Sequence, residues 1–277
     1  MRREDLEYWN TVLGETYESD GFYTDRPRVT PLRERTQTYI DLGTGGGDFA
    51  SDGKWPFAVS FAAAVSFVMS KNLMKNDVMI GLSAGKENQK GAALTGYVAN
   101  LSADMQVAEL KRQIAARREE ALNHSETFSE ALEHFEMKGN EYVPGMKTII
   151  REDGLYPEAQ DTYDADVVFY LCSEKGSVRC GVAEELYDEG TIDSIASQIR
   201  KFMACDGSAR LSEVEVLSDS EIQRIKGMEH GEPHGCISGT VIDVMREHAV
   251  AYASNTAVEE GDVRLTYREF DERTNQV

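Results

Sequence analysis

Near the start of the chain, apolar residues recur at helical spacing (Leu6, Trp9, Val12, Leu13), and the run stops at Gly14. This pattern predicts a short amphipathic helix. Residues 36–42 read as a strand that ends in a glycine loop at 43–47. Residues 57–74 are Ala-rich, apolar and too long for a strand, and predict a buried helix entered through Pro56. Residues 77–82 form an apolar, β-branched run of strand length. In 103–123, Val107, Leu110, Ile114 and Leu122 share one helical face with charges opposite, and 127–135 predict a second short helix. A strand is read at 146–150. The runs 165–172 and 178–184 flank a Gly176-containing turn and predict a hairpin. Residues 192–203 are helical, with Thr191 placed to accept a bond from the free amides of the first turn.

Past Ala204 the pattern changes. Cys205-Asp206-Gly207-Ser208 opens a polar connector, a small helix follows at 218–227, and 230–235 are turn-rich. A helix at 241–251 and a short strand at 263–265 close the chain. Apolar side chains are dense at Leu211, Val214, Val216 and Leu217. A free linker is poor in such residues, so residues 205–218 are expected to pack back on what precedes them, with 230–239 mobile. Helices mixed with antiparallel-looking strands give an α+β class with a mixed or antiparallel sheet and packed helices. The expected division is 1–204, a connector at 205–236, and 237–277.

Composition narrows the function classes. The 277 residues carry 49 acidic against 29 basic side chains, a net charge of −20. Nucleic acid is bound by Lys and Arg neutralising phosphates, and anionic membrane surfaces by the same charges, so neither is an expected partner. The N-terminus is charged rather than apolar, and the longest apolar run, 55–69, falls short of a membrane helix. The expected location is cytoplasmic. Cys172, Cys180, Cys205 and Cys236 show no short paired spacing. Cys172 and Cys180 could face each other across the hairpin, but reduced core thiols are the preferred reading.

Several segments carry a family resemblance. Leu265-Thr266-Tyr267-Arg268-Glu269-Phe270 and the Asp271-Glu272-Arg273-Thr274-Asn275 tract after it resemble the first core motif of adenylation domains in nonribosomal peptide synthetases. Tyr8-Trp9 followed by Thr24-Asp25-Arg26-Pro27-Arg28 resembles the opening of the C-terminal lobe of their condensation domains. Asn76 to Gly81 is similar to that family's buried Asp-Asp-Val-x-x-Gly strand. Gly96-Tyr97-Val98-Ala99-Asn100-Leu101 is similar to Gly-x-Phe-Val-Asn-Thr, matching at Gly96 and Asn100. His124 to Glu130 keeps the outer residues, His124 and Glu130, of His-Gln-Asp-x-Pro-Phe-Glu. Tyr187 to Ile192 resembles Phe-Asp-x-x-Thr-Ile, and Leu211 to Ser218 the Leu-Ser-x-x-x-Leu-Leu-Ser connector. The resemblance implies one lobe of a chloramphenicol acetyltransferase-like fold, a connector, and the first residues of an adenylation domain. The catalytic lobe's His-His-x-x-x-Asp-Gly motif has no counterpart, since none of the five histidines adjoins another.

The resemblance makes Gly96, Asn100, His124 and Glu130 structural or tunnel-lining positions, and Leu265, Thr266, Tyr267 and Glu269 first-motif positions, with no catalytic residue. It implies a chain inactive by itself, within a parent that activates an amino acid with ATP and Mg and loads it onto carrier-protein phosphopantetheine. The implied partners are an adenylation domain in cis and a peptidyl carrier protein. A second copy or a missing condensation lobe would fit any face left uncovered, although the high negative charge favours a closed, monomeric unit. An alternative is a condensation domain whose catalytic lobe lies upstream or in trans. A second alternative comes from Asp41-Leu42-Gly43-Thr44-Gly45-Gly46-Gly47, which resembles motif I of S-adenosylmethionine-dependent methyltransferases, although Gly53 and Pro56 interrupt the helix that should follow. His124 would need a positioned partner to act as acid or base, and Glu126 and Glu130 are only its helix-spaced neighbours. Thr44, Ser83 and Ser102 have no histidine beside them in sequence to make a nucleophile. His230, His234 and Cys236 lie among glycines and proline, a poor frame for a metal.

Overall fold

A six-stranded mixed sheet organises the chain up to residue 218 in the computed structural model, which describes residues 3–14, 20–27, 37–43, 54–84, 93–136, 146–152, 165–172, 174, 176–229 and 239–276. The elements in chain order are α1 (Arg3–Leu13), β1 (Gln37–Gly43), α2 (Phe57–Leu73), β2 (Asp77–Ala84), β3 (Ala93–Asn100), α3 (Val107–Asn123), α4 (Phe128–Glu136), β4 (Thr148–Glu152), β5 (Val167–Cys172), β6 (Ser177–Ala183) and α5 (Glu189–Met203). The sheet order is β1-β6-β5-β4-β2-β3. The β2–β4 and β4–β5 pairs are parallel, and the other three are antiparallel. Mixed pairing with packed helices is the expected class.

The chain divides into two compact units, Met1–Ser218 and Asp219–Val277. In the first, α2 packs against β2, α3 and α5, and its residues 58–69 are buried. Ser66 is tolerated in so apolar a helix because its Oγ donates to Ala62 O at 2.8 Å, inside the helix's own turn. Side chains alternate across a pleat, yet both alternating sets are buried: Ile80, Leu82, Ile150 and Phe169 as well as Met79, Ile149, Val168 and Tyr170. Among the described residues these strands are therefore covered on both faces. Two glycines, Gly81 and Gly96, stand opposite each other in the β2–β3 register. A β-carbon at Gly96 would lie 2.7 Å from Met79 Cε and 3.0 Å from Met146 Cε, so the ends of both methionine side chains would have to shift to admit one.

Three readings are corrected. β1 is an edge strand, antiparallel to β6 and separated from β2 by β6, β5 and β4. A methyltransferase glycine motif follows a strand within a parallel βαβ unit, so that alternative is set aside; residues 44–53 lie outside the described residues. Thr191 does not cap α5. Its hydroxyl donates to Asp25 Oδ1 at 2.9 Å while Asp188 N donates to Asp25 Oδ2 at 2.7 Å, so a distant carboxylate serves the helix start. The hairpin register pairs Cys172 with Ser177 and Cys180 with Phe169, so the two cysteines do not face each other. Burial pushes the Cys180 thiol pKa far up, as an inert core thiol requires.

The expected docking of the connector is observed. Residues 103–108 and 207–212 run side by side: Val107 N donates to Ala209 O at 3.0 Å, Ala108 N to Gly207 O at 2.9 Å and Leu211 N to Met105 O at 2.8 Å. Those bonds also set the start of α3 at Val107, four residues later than the apolar spacing predicts. Leu211, Val214 and Val216 are buried, and Leu217 half-buried.

The second unit contains α6 (Asp219–Glu229), α7 (Val241–Ala251), the antiparallel strands β7 (Thr256–Glu260) and β8 (Val263–Thr266), and α8 (Tyr267–Thr274). Neither α7 nor α8 buries a residue fully. Residues 230–238, including His230, His234 and Cys236, lie outside the described residues. No helix is long and apolar enough to cross a membrane, and no group of three potential ligands is placed to hold a metal among the described residues.

Candidate functional site

Asn100 ends β3 at the sheet's other edge. Its Nδ2 donates to Asp77 Oδ1 at 2.7 Å, joining the end of β3 to the start of β2. Gln113, from α3, closes on its backbone: Asn100 N donates to Gln113 Oε1 and Gln113 Nε2 donates to Asn100 O, both at 3.0 Å. A side-chain amide thus takes the place of a partner strand at this one residue. Beside this clamp lies a cleft of about 250 Å³ that includes Asn76, Leu101, Ser102 and the connector's Leu211. Gly96 sits deeper on the same strand, fixed by its methionine contacts rather than by a ligand.

His124 stands elsewhere, at the C-terminal end of α3. Its Nδ1 lies 2.7 Å from Asp5 Oδ1 on α1, and its ring stacks on Tyr8 at 4.1 Å. The neighbouring Trp9 is fully buried, donates from Nε1 to Thr127 Oγ1 at 3.1 Å and packs on Phe128. Burial, reinforced by the Glu120 charge, pushes the Tyr8 phenol pKa up to about 12. A carboxylate partner for the histidine does exist, supplied from 119 residues away, and sequence spacing around His124 could not reveal it. The pair joins α1 to the end of α3, and neither of the two clefts described includes His124. Glu130 is exposed in the first turn of α4, where a carboxylate complements the helix dipole.

A third cluster lies under the sheet near α3. Arg118 forms a nearly buried ion pair with Glu152, the last residue of β4, its Nε 2.6 Å from Glu152 Oε1. Burial pushes the neighbouring Tyr97 phenol pKa far up, with Arg118 opposing that rise and Glu152 adding to it. Ser83 is buried on β2, Ser102 is exposed, and Thr44 lies outside the described residues. Gly96, Asn100, His124 and Glu130 therefore do not converge on one point. Gln113, Asp5, Arg118 and Glu152 were not singled out by the sequence, because each acts through a partner on another element.

In the second unit, Leu265 lies in β8 and Thr266 caps α8. Thr266 N and Oγ1 each donate to Glu269 Oε2 at 2.9 Å, and Glu269 N donates back to Thr266 Oγ1 at 3.3 Å. The Thr-x-x-Glu spacing is a capping box, the physical content of that stretch. Tyr267 N donates to Asn255 O at 3.0 Å and its ring meets His248 edge-on. The bonds from Thr266 hold the Glu269 carboxyl pKa below its ordinary value. A depressed carboxylate pKa adds stability above the unfolded value and loses it as pH falls through the folded one. Acidification is therefore expected to open α8 in that window, read as faster amide exchange at residues 269–271, and Thr266→Ala is expected to open it already at neutral pH.

No family model matches the chain. Over 173 residues it is 27% identical to phosphinothricin tripeptide synthetase PhsC of Streptomyces viridochromogenes, covering 58% of this chain and 15% of that one. Among solved structures, the four-domain nonribosomal peptide synthetase holo-AB3403 bound to AMP and glycine aligns with 96% of this chain and 24% of its own (TM-score 0.68, 12% identity). The X-domain in the complex with OxyB from teicoplanin biosynthesis aligns with 78% of this chain and 56% of that one (TM-score 0.61, 17% identity). The starter condensation domain of rhizomide synthetase RzmA aligns over 78% and 54% (TM-score 0.53, 14% identity). The chain thus spans about a seventh of its curated relative's length and little more than half of the two single-domain structures. It is similar in sequence to a nonribosomal peptide synthetase and has the fold seen in condensation domains and the X-domain.

Proposed function

We propose that the chain is part of a nonribosomal peptide synthetase in which the condensation-fold unit catalyses no condensation and serves as a docking platform for an amino-acid-activating adenylation domain. The observation that carries this reading is the connector, hydrogen-bonded along 103–108 and anchored by buried Leu211. A connector bound in that way suits a platform, whereas a flexible tether would be apolar-poor and unpaired. The commitment of His124 to Asp5 and Tyr8, away from both clefts, supports the non-catalytic part. The solved complex of the X-domain with OxyB supports the idea that this fold can hold a protein partner. In this reading the parent uses ATP with Mg and a carrier protein's phosphopantetheine, and Leu265, Thr266, Tyr267 and Glu269 belong to the adenylation domain's first motif.

The test has two arms. The purified chain is expected to form no peptide bond between aminoacyl carrier proteins and to release no pyrophosphate from ATP with any amino acid. Peptide-bond formation would overturn the non-catalytic assignment. In amide exchange, Leu211 and Ser212 are expected to be protected together with Val107 and Ala108. Rapid exchange at Leu211 and Ser212 would make the connector a tether and remove the basis for a platform.

A further inference from the structure

The connector is held in two unlike ways. Residues 207–212 are joined to 103–108 by main-chain bonds, among them Ser212 N to Ala103 O at 3.0 Å. Residues 214–217 take no main-chain bond to another element among the described residues. Val214 is extended, with ψ of 108°, and burial alternates from it: Val214 and Val216 are buried while Glu215 between them is exposed. Leu217 N is satisfied within the segment, donating to Glu215 Oε1 at 3.0 Å. Leu217 O accepts from Nζ of Lys201, which stands half-buried in the last turn of α5. Among the described residues this is the one hydrogen bond from 214–217 to another element. The next residue, Ser218, is the last of the first unit.

We infer that Lys201 is a latch on the outer half of the connector, so that 214–217 opens and closes while 207–212 stays in place. Apolar contact is non-directional, so two valine side chains hold the segment to the surface without fixing where it ends. The Lys201 bond fixes that point. A hydrogen bond from a charged donor is about twice as strong as a neutral one, and a lysine in the last turn of a helix is also favoured by the helix dipole. With the latch closed, the chain leaves the first unit at Ser218. With it open, the chain leaves after Glu213, and the free stretch before α6 gains residues 214–218, roughly 17 Å of reach when extended. The latch thereby sets the length of the tether to the second unit. This inference rests on the platform reading, because it concerns the same connector.

The test is backbone ¹⁵N relaxation on the full chain. In the unaltered chain Leu211, Ser212, Val216 and Leu217 are expected to share the order parameter of rigid backbone, about 0.85. Lys201→Met keeps the aliphatic stem and removes the ammonium. In that variant Val216 and Leu217 are expected to fall below about 0.6, while Leu211 and Ser212 keep their values. Lys201→Arg restores a cationic donor and is expected to restore order at Val216 and Leu217. Persistent order there in Lys201→Met would make the valines the fastening and overturn the latch. So would equal loosening in the two variants, or loosening of Leu211 and Ser212 together with Leu217, which would make the connector a single piece. Those three outcomes leave the platform reading standing. Mobility of Leu211 and Ser212 in the unaltered chain would remove the platform and the latch with it.

Discussion

Replacing Arg118 with methionine is expected to destabilise the first unit by about 3–5 kcal/mol, the cost of leaving one member of a buried ion pair unpaired. The two side chains are 15% and 8% exposed, so solvent cannot replace the guanidinium at Glu152. The double variant Arg118→Met/Glu152→Leu should recover most of that loss, because the penalty lies in the orphaned charge more than in the absence of attraction. Urea titrations of the two variants decide the matter. A loss below about 1 kcal/mol for the single variant, the range of exposed pairs, would mean that the pair is solvated and that β4 is not pinned to α3.

Trp9→Ala should cost a similar amount, about 3–5 kcal/mol. Trp9 is fully buried, donates to Thr127 and packs on Phe128, so it joins α1 to the start of α4. Trp9→Phe keeps most of the packing and gives up one hydrogen bond, a loss of about 1 kcal/mol beyond the smaller ring. The chain has two tryptophans, so fluorescence of the remaining Trp55 reports unfolding of this unit in both variants. Equal losses for the alanine and phenylalanine variants would show that the hydrogen bond, not the packing, makes the junction.

What the sequence disclosed follows the range over which each interaction acts. The helix α2 was legible because twelve consecutive buried residues from Ala58 to Met69 are written directly in composition. The end of α1 was legible because Gly14 takes the left-handed backbone, with φ of +69°, that most residues avoid. Strand β3 has no local period to reveal it as an element, because Met146 and Gln113, which its Gly96 and Asn100 meet, lie elsewhere in the chain. Strand β7 is illegible in the sequence because its residues are mostly exposed and show no alternation of burial. At α5 a local rule failed. Thr191 stands where a capping hydroxyl belongs, but Asp25 reaches the helix start first. The candidate site was legible as a set of positions and illegible as an arrangement, since Asp5, Gln113 and Glu152 meet their partners only in the folded chain.

The pairing of β1 with β6 sets an order of events during synthesis. Thr38 and Glu184, bonded side chain to side chain at this seam, are 146 residues apart. At ribosomal speeds of about 5–20 residues per second, the strand that emerges first waits on the order of 7–30 s for its neighbour. Throughout that interval the nascent chain carries β1 with neither edge paired, next to the apolar run that becomes α2. A ribosome stalled before residue 177 would therefore display a sticky, half-finished sheet, with Asp41 the single charge on the waiting strand.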